Sequence, residues 1–403
     1  MGMTPVLIAG AGPVGVITAL ALAQRGIPVR VFEAAERVND APRASTLHPA
    51  TLEMLADIGL LDEIVTRGLV ARTFQFWDRP ARRLIAEFDH AILKDDTPFP
   101  FVVQCEQHKV ANIAIARLQQ FAHAEVHFSS PVTAVVARDD RVDMTVEIDG
   151  KPEMVSGSYL AGADGGRSLV RKSLDIAFEG YTFPERFLVL TSLFDFATEH
   201  GVAYRAYFSD PDEWANLFKV AGDDGLGRWR SVFPTLPGQT DDDVLNESAT
   251  EARLQKFFPN EKRYDIVHRN IYRVHQRVAA SFRQGRVFLA GDSAHVNNPI
   301  GGLGLNCGIH DATHLARLLS AVLREERPQG DLNTYDAVRR PMNIEYVQQQ
   351  TIANKKRLEE KDPAVRQANF DNLRRMAADP AAHRAFLMRT SLLESVRKQR
   401  VAA

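Results

Sequence analysis

The tightest constraint on this chain lies in its first 33 residues. Val6 to Ala9 is a short, β-prone apolar run, and Gly10-Ala11-Gly12-Pro13-Val14-Gly15 follows it. VITALALAQRG then has helical spacing and stops at Gly26, and PVRVFE forms a second strand ending at Glu33. A G-x-G-x-x-G turn between strand and helix, with an acid at the end of the next strand, defines a βαβ unit for an adenine dinucleotide. Gly10 permits the tight turn, Gly12 lets the backbone approach a pyrophosphate, and Gly15 lets the helix pack close. The helix N-terminus, opened by Pro13, presents free N–H groups and its positive dipole end to phosphate. Glu33 is placed to accept hydrogen bonds from a ribose, and its charge disfavours NADP because a 2′-phosphate would meet a like charge. The motif alone does not separate FAD from NAD.

The same stretch, TPVLIAGAGPVGVITALALA, approaches the length of a membrane span. Its central glycine and proline breakers, with no basic run before it, favour strand–turn–helix instead. The 403 residues suggest two domains, or one large domain with an insertion. A net charge of −2 argues against nucleic acid or an anionic membrane as the main partner. Cys105 and Cys307, far apart, read as reduced thiols in a cytoplasmic protein rather than as a disulfide framework.

Two further segments bear on the cofactor. In GSYLAGADGGRSLVRKSL a strand ends at Asp164-Gly165, and Arg167-Ser168 opens a helix-prone run. Taken alone, that Asp-Gly pair is a turn. In GRVFLAGDSAHVNNPIGGLGLNCGIHDA an apolar strand delivers Asp292 at its carboxyl end. A glycine-rich loop and a helix starting near Asn306 come next. Ligands of open α/β sheets sit beyond strand carboxyl ends, where an Asp can accept from sugar or ribityl hydroxyls. Gly301, Gly302 and Gly304 allow backbone to approach a flat ring, and the helix N–H groups can stabilise negative charge on it.

Together GAGPVG, GADGGRS and GDSAHVNNPIGGLGLNCGIHDA resemble the three flavin fingerprints of the group A aromatic hydroxylases, over about residues 4–345. These are single-component FAD monooxygenases of the para-hydroxybenzoate hydroxylase fold. HPATLEML and YTFPERFLVL are similar to the phenol and hydroxyphenylpropionate hydroxylase branch. That branch often carries a C-terminal thioredoxin-like domain, for which this chain lacks the length.

The resemblance implies an α/β fold: a Rossmann-type FAD-binding domain, an inserted β-sheet substrate domain and a C-terminal helical tail. The FAD-binding domain is expected over residues 1–75, 100–178 and 265–345, the substrate domain over 76–99 and 179–264, and helices over 346–403. The chain is expected to be a monomer or homodimer, its tail packing on the flavin domain or, in a dimer, on the second subunit.

Carried across, Gly10, Gly12, Pro13 and Gly15 hold the FAD pyrophosphate and Glu33 the ribose. Arg43 lies along the FAD, and Gln107, or Gln104 in the same stretch, reaches the flavin side chain. Asp164 serves both FAD and the nicotinamide nucleotide, and Asp292 binds the ribityl hydroxyls. Pro299 lies over the ring with its carbonyl facing the substrate, while Gly302, Leu305 and Asn306 bring backbone to the pyrimidine edge. His48 is a candidate for activating a phenol, and His295 packs or caps the loop. His310 and His314, four apart on a helix, lack a further metal ligand, so no metal is expected. Arg205, Tyr207, Phe218 and Arg230 are candidate pocket residues. Alternation leaves open whether Tyr204 or Tyr207 faces inward.

The implied chemistry is NAD(P)H-driven hydroxylation, by O2, of a small electron-rich aromatic: a phenol, hydroxy- or aminobenzoate, or N-heteroaromatic. In the family a flavin C4a-hydroperoxide carries the oxygen. The sequence holds no second Rossmann motif for NADH or NADPH, consistent with transient binding. Three rivals share the fingerprints. A halogenase would carry W-x-W-x-I-P, from which GRWRSVFP departs. A polyprenyl reductase would not use oxygen, and a non-catalytic FAD-binding sensor would not turn over.

Overall fold

The computed structural model describes residues 3–236 and 238–402. Its dinucleotide-binding part is a six-stranded sheet in the order Arg283–Gln284, Val287–Leu289, Tyr159–Gly162, Val6–Ala9, Val29–Phe32 and Ala124–His127. All neighbours pair in parallel except the first two. Val6 to Ala9 are fully buried, as expected of a central strand covered on both faces. Helix Pro13–Ala23 starts at Gly12, takes Pro at its first turn and buries nine residues. Being apolar on every side, it serves as a core helix and packs against helix Gly304–Leu323.

A second, eight-stranded sheet forms the other lobe. Its order is His295–Val296, Ile266–Ala279, Phe178–Ser192, Arg228–Pro234, Ala215–Val220, Arg205–Ser209, Thr73–Asp78 and Arg83–Asp89. The register decides which residues share a face. Arg205 pairs with Phe218, Phe218 with Arg230, Arg230 with Thr191, and Thr191 with His268. The four pocket candidates therefore lie on one side, because Tyr207 is two residues from Arg205 on its strand. Tyr204 points to the opposite side, where it meets Trp229 edge-on in a separate aromatic core. That settles the Tyr204/Tyr207 alternative in favour of Tyr207.

The C-terminal region is built of successive helices, as expected. A π-helical turn, Asn343–Gln348, leads into helices Gln349–Leu358, Pro363–Ala378, Pro380–Thr390 and Leu393–Ala402. This segment packs mainly on the sheet lobe. Phe370, Leu373, Leu387 and Met388 share a core with Phe74, Phe76 and Phe88. Arg366 pairs with Asp78 at 2.6 Å, and Arg384 with Asp96 at 2.5 Å. Among the described residues no helix is long and apolar enough to cross a membrane.

Candidate active site

The dinucleotide cradle is assembled by backbone proximity. A Cβ on Gly10, whose φ is +101°, would lie 2.4 Å from the Ala163 carbonyl oxygen, and one on Gly15 would lie 2.0 Å from the Gly10 oxygen. Both positions demand glycine for close packing. At Gly12, in front of the helix N-terminus, a Cβ would meet nothing within 4 Å, leaving room for a pyrophosphate on the free N–H groups. The Glu33 carboxylate accepts from Ala11 N at 2.8 Å and Ala35 N at 3.0 Å. It thus braces the glycine turn from the end of the second strand. Asp164 accepts from Ser168 Oγ at 2.5 Å and Val170 N at 3.0 Å. Its carboxylate organises the turn before helix Leu169–Ser173.

Beside this cradle, Asp292 is exposed to solvent and accepts no hydrogen bond among the described residues. Its side chain opens into the cleft, and desolvation by the cleft walls raises its carboxyl against the pull of His295 and Arg43. Arg43 is exposed in the same cleft. An unpartnered carboxylate in such a place suits a ligand bearing hydroxyl donors. Gln104 and Gln107 differ usefully. Gln104 is buried, its Oε1 accepts from Thr46 Oγ1 at 2.9 Å, and its Nε2 has no partner. Gln107 is half-buried, with its backbone N–H donating to Ala44 O at 2.9 Å. The open cradle, the free Asp292 carboxylate and the orphaned Gln104 amide fit an FAD.

The glycine loop is shaped by Asn306. Its Oδ1 accepts from His48 N at 2.8 Å, and its Nδ2 donates to Thr46 O at 2.7 Å and Gly302 O at 2.6 Å. The helix begins at Gly304, two residues earlier than the sequence suggests, with Leu305 in its first turn. A Cβ on Gly302 would lie 2.8 Å from Thr46 Cβ, so backbone and the 46–48 segment are in close contact. Pro299 is exposed, but its carbonyl accepts from Gly302 N at 2.9 Å. Gly301, not Pro299, borders the aromatic-lined pocket described below, its carbonyl 2.9 Å from His48 Nε2, a departure from the orientation expected for Pro299. The turn closing on Pro299 O is the reason.

Behind this loop a fully buried ion cluster anchors the helix. Asp311 accepts from His295 Nε2 and Arg339 Nε, both at 2.7 Å. Burial opposes charge on His295, but the Cys307 sulfur and Asp311 carboxylate outweigh it and raise its pKa to about 10. Arg339 also donates to Cys307 Sγ at 3.3 Å, so the convergence of His295, Cys307 and Asp311 already holds a cation. His295 packs and anchors, as expected. His310 bonds Thr51 Oγ1 at 3.0 Å, and burial lowers its pKa to about 3, as it does for His314.

Between the loop, the sheet face and the C-terminal helices lies a narrow pocket of about 20 Å³, close to the space of one ordered water. Arg205, Tyr207, His48 and His90 supply polar groups at its lining, and Phe74, Phe76, Ile300 and Phe386 supply apolar ones. Arg205 is buried, yet no carboxylate pairs with it among the described residues. Its Nη2 donates to Tyr207 Oη at 2.8 Å and approaches Gly301 O at 3.4 Å. Its guanidinium faces the Phe74 and Tyr207 rings at 5.2 and 5.7 Å.

Both pocket histidines are held neutral. Burial, then the Arg205 charge, pushes His48 well below its usual value and lowers His90 to about 4. His48 Nε2 lies 2.9 Å from Gly301 O and must donate to it, which leaves Nδ1 as an acceptor without a partner. His90 Nδ1 likewise donates to Arg72 O at 2.8 Å, leaving Nε2 as its acceptor. Phe218 and Arg230 share the sheet face but do not border this pocket. Arg230 is buried, donates to Arg43 O at 2.9 Å and keeps Nε unpartnered. The sequence offered no pattern for His90, Phe74, Phe76 or Phe386, which only the fold brings together.

A family model described as FAD binding domain matches residues 3–350. The chain belongs to this family. It is 34% identical over 390 residues to para-nitrophenol 4-monooxygenase of a Pseudomonas species, covering 95% of this chain and 94% of that protein. To 6-hydroxy-3-succinoylpyridine 3-monooxygenase of Pseudomonas putida it is 35% identical, covering 89% and 90%. The crystal structure of a Pseudomonas putida p-nitrophenol 4-monooxygenase superposes with a TM-score of 0.90 at 33% identity, covering 96% and 97%. A flavin-dependent monooxygenase solved with FAD and substrate has a TM-score of 0.80 at 23% identity, a likeness of fold alone. The chain is an FAD-dependent aromatic monooxygenase of the para-hydroxybenzoate hydroxylase fold.

Proposed function

We propose that this monooxygenase hydroxylates a small phenol or hydroxypyridine that it binds as the anion, using NADH or NADPH as reductant and O2 as oxygen donor. The carrying observation is Arg205, a buried cation with no acidic partner among the described residues, aimed into an aromatic-walled pocket. A buried charge without a partner is costly, and an anionic ligand removes that cost. The named relatives act on a nitrophenol and on a hydroxypyridine, each bearing an oxygen on the ring.

In this account Gly10, Gly12, Pro13 and Gly15 seat the FAD pyrophosphate, with Glu33 at the ribose and Asp292 at the ribityl chain. Arg43, Asp164 and one of Gln104 and Gln107 complete the cradle, and Pro299, Gly302, Leu305 and Asn306 shape the ring seat. FAD, when bound, supplies hydride acceptance and oxygen activation. The overall change balances as HO–Ar–H + NAD(P)H + H⁺ + O2 giving HO–Ar–OH + NAD(P)⁺ + H2O.

The chain's own side chains handle the substrate. Arg205 holds the ring oxygen as its anion, and Tyr207, whose oxygen accepts from Arg205, keeps its own hydrogen for the same atom. His90, held neutral by burial and the Arg205 charge, takes no proton from the phenol, which binds as the anion already formed in solution. His48 fixes the Gly301 carbonyl at the pocket edge and offers Nδ1 as a hydrogen-bond acceptor. Phe74, Phe76, Ile300 and Phe386 exclude water, which protects reactive oxygen species from wasteful breakdown.

The test is to follow NADH and NADPH oxidation by FAD-loaded protein against phenols, aminobenzoates and hydroxypyridines, trapping peroxide in parallel. The proposal expects acidic phenols or hydroxypyridines to speed oxidation with little peroxide. Stimulation confined to uncharged aromatics, or to none of the panel, would overturn it.

A further inference from the structure

Five pocket-lining residues lie on the C-terminal helices: Gln350, Asn354 and Leu358 on Gln349–Leu358, and Phe386 and Thr390 on Pro380–Thr390. All but Gln350 stand beyond the residues matched by the family model. The cofactor cradle therefore belongs to the shared part of the chain, whereas one wall of the substrate pocket comes from a segment outside it.

That wall is built and held. Helix Pro380–Thr390 turns His383, Phe386, Leu387 and Thr390 inward at i, i+3, i+4 and i+7 spacing. The Phe386 ring sits 4.6 Å from Phe88 and 6.3 Å from Phe74, centroid to centroid. Phe74 in turn carries the Arg205 guanidinium on its face at 5.2 Å. A line of contacts thus runs from the anion-binding cation, across Phe74, to the helix. His383 Nε2 accepts from Asp89 N at 3.1 Å, next to the pocket residue His90. On its outer side the helix is latched through Asp96, which accepts from Arg384 Nε at 2.7 Å and Arg397 Nη1 at 3.1 Å.

We propose that helix Pro380–Thr390 is the specificity wall of the pocket, with Phe386 and Thr390 setting the largest ring substituent admitted when the substrate oxygen is held at Arg205. The inference rests on the proposed binding of phenolic anions and deepens it. Because Phe386 lies at the wall while the charge contact lies at Arg205, truncation at 386 alters size selection without removing the anion site.

The experiment measures dissociation constants from the perturbation of the flavin spectrum in FAD-loaded protein, so it needs no turnover. The ligands are para-methyl, para-ethyl, para-propyl and para-butyl phenols, each carrying an ortho nitro group to keep the hydroxyl acidic. Wild-type affinity is expected to fall at the longer substituents. Phe386→Ala is expected to shift the preference for para-butyl over para-methyl by tenfold or more, the scale of one or two methylenes in an apolar pocket. Thr390→Ala should shift it in the same direction by less. Phe386→Leu, which keeps an apolar side chain in the shared core, supplies the readout if the alanine variant folds poorly, and should lie between it and wild type. An unchanged size ranking in Phe386→Leu and Thr390→Ala would overturn the wall assignment while leaving phenol binding standing. Failure of every phenol to bind wild type would overturn the functional proposal and this one together.

Discussion

Replacing Arg205 with Met should weaken ligand binding and, at the same time, leave the ligand-free fold as stable or more so. The guanidinium is buried, and its protein hydrogen-bond partners are two neutral oxygens, Tyr207 Oη at 2.8 Å and Gly301 O at 3.4 Å. Losing those contacts costs about 1–3 kcal/mol. Retaining an unpaired ion in the interior carries a desolvation penalty of several kcal/mol. The second effect is at least as large as the first, so Arg205→Met should unfold at the wild-type temperature or a few degrees above it. Binding should move the other way, because a charge-assisted contact to a phenolate is worth about 1.5–3 kcal/mol, or roughly 10–150-fold in Kd. Para-nitrophenol is a convenient probe, since its visible absorption reports whether the bound molecule is ionised. Wild type should bind the anion, and Arg205→Met should bind weakly with a larger neutral fraction. A variant that unfolds much earlier yet binds the anion with unchanged Kd would show that Arg205 is a structural residue and refute the reasoning.

Three further outcomes follow from the same geometry. Asp311→Asn leaves His295 and Arg339 as buried cations without their counter-ion, and should cost about 3–5 kcal/mol in chemical denaturation; a loss under 1 kcal/mol would contradict that role. His90 is neutral in the fold, with a pKa of about 4 against an ordinary 6.5. The unfolded chain therefore takes up the proton first. Stability should decline as pH falls from 6.5 towards 4, by up to about 3 kcal/mol from this residue, and His90→Gln should flatten that slope. Asp292→Ala removes an exposed cleft carboxylate that makes no hydrogen bond among the described residues, so the FAD-free fold should hold its melting temperature. FAD affinity should drop about tenfold or more, as read by flavin fluorescence titration.

The cofactor half of the site was legible in the sequence because local pattern dictates it. Gly15 is required by packing on Gly10 within one βαβ unit, and Asp292 ends a strand whose apolar residues are contiguous. The sheet lobe was legible as alternating β-prone runs, and Arg205 and Tyr207 were picked from them. Which side of the sheet they face was not readable, because period-2 alternation has two solutions until the register Arg205–Phe218–Arg230 fixes one. His90 gave no signal at all. It lies in a one-turn helix, His90–Leu93, after an edge strand, and only the return of the C-terminal helices makes that place a pocket. Phe386 was invisible for the same reason, since nearly 300 residues separate it from Phe88 in the chain. The Pro299 carbonyl was misjudged because a turn hydrogen bond to Gly302 depends on loop geometry rather than residue type.

The central claim, that this chain inserts oxygen from O2 into an anionic ring at the Arg205 pocket, is tested most directly by isotope. FAD-loaded protein would turn over its most stimulating phenol with NADH or NADPH under isotopically heavy dioxygen in ordinary water, with the reverse labelling as control. The account predicts a product that gains one heavy oxygen atom under heavy dioxygen and none from heavy water. Oxygen drawn from water, or NAD(P)H consumed with all the dioxygen recovered as peroxide, would contradict it.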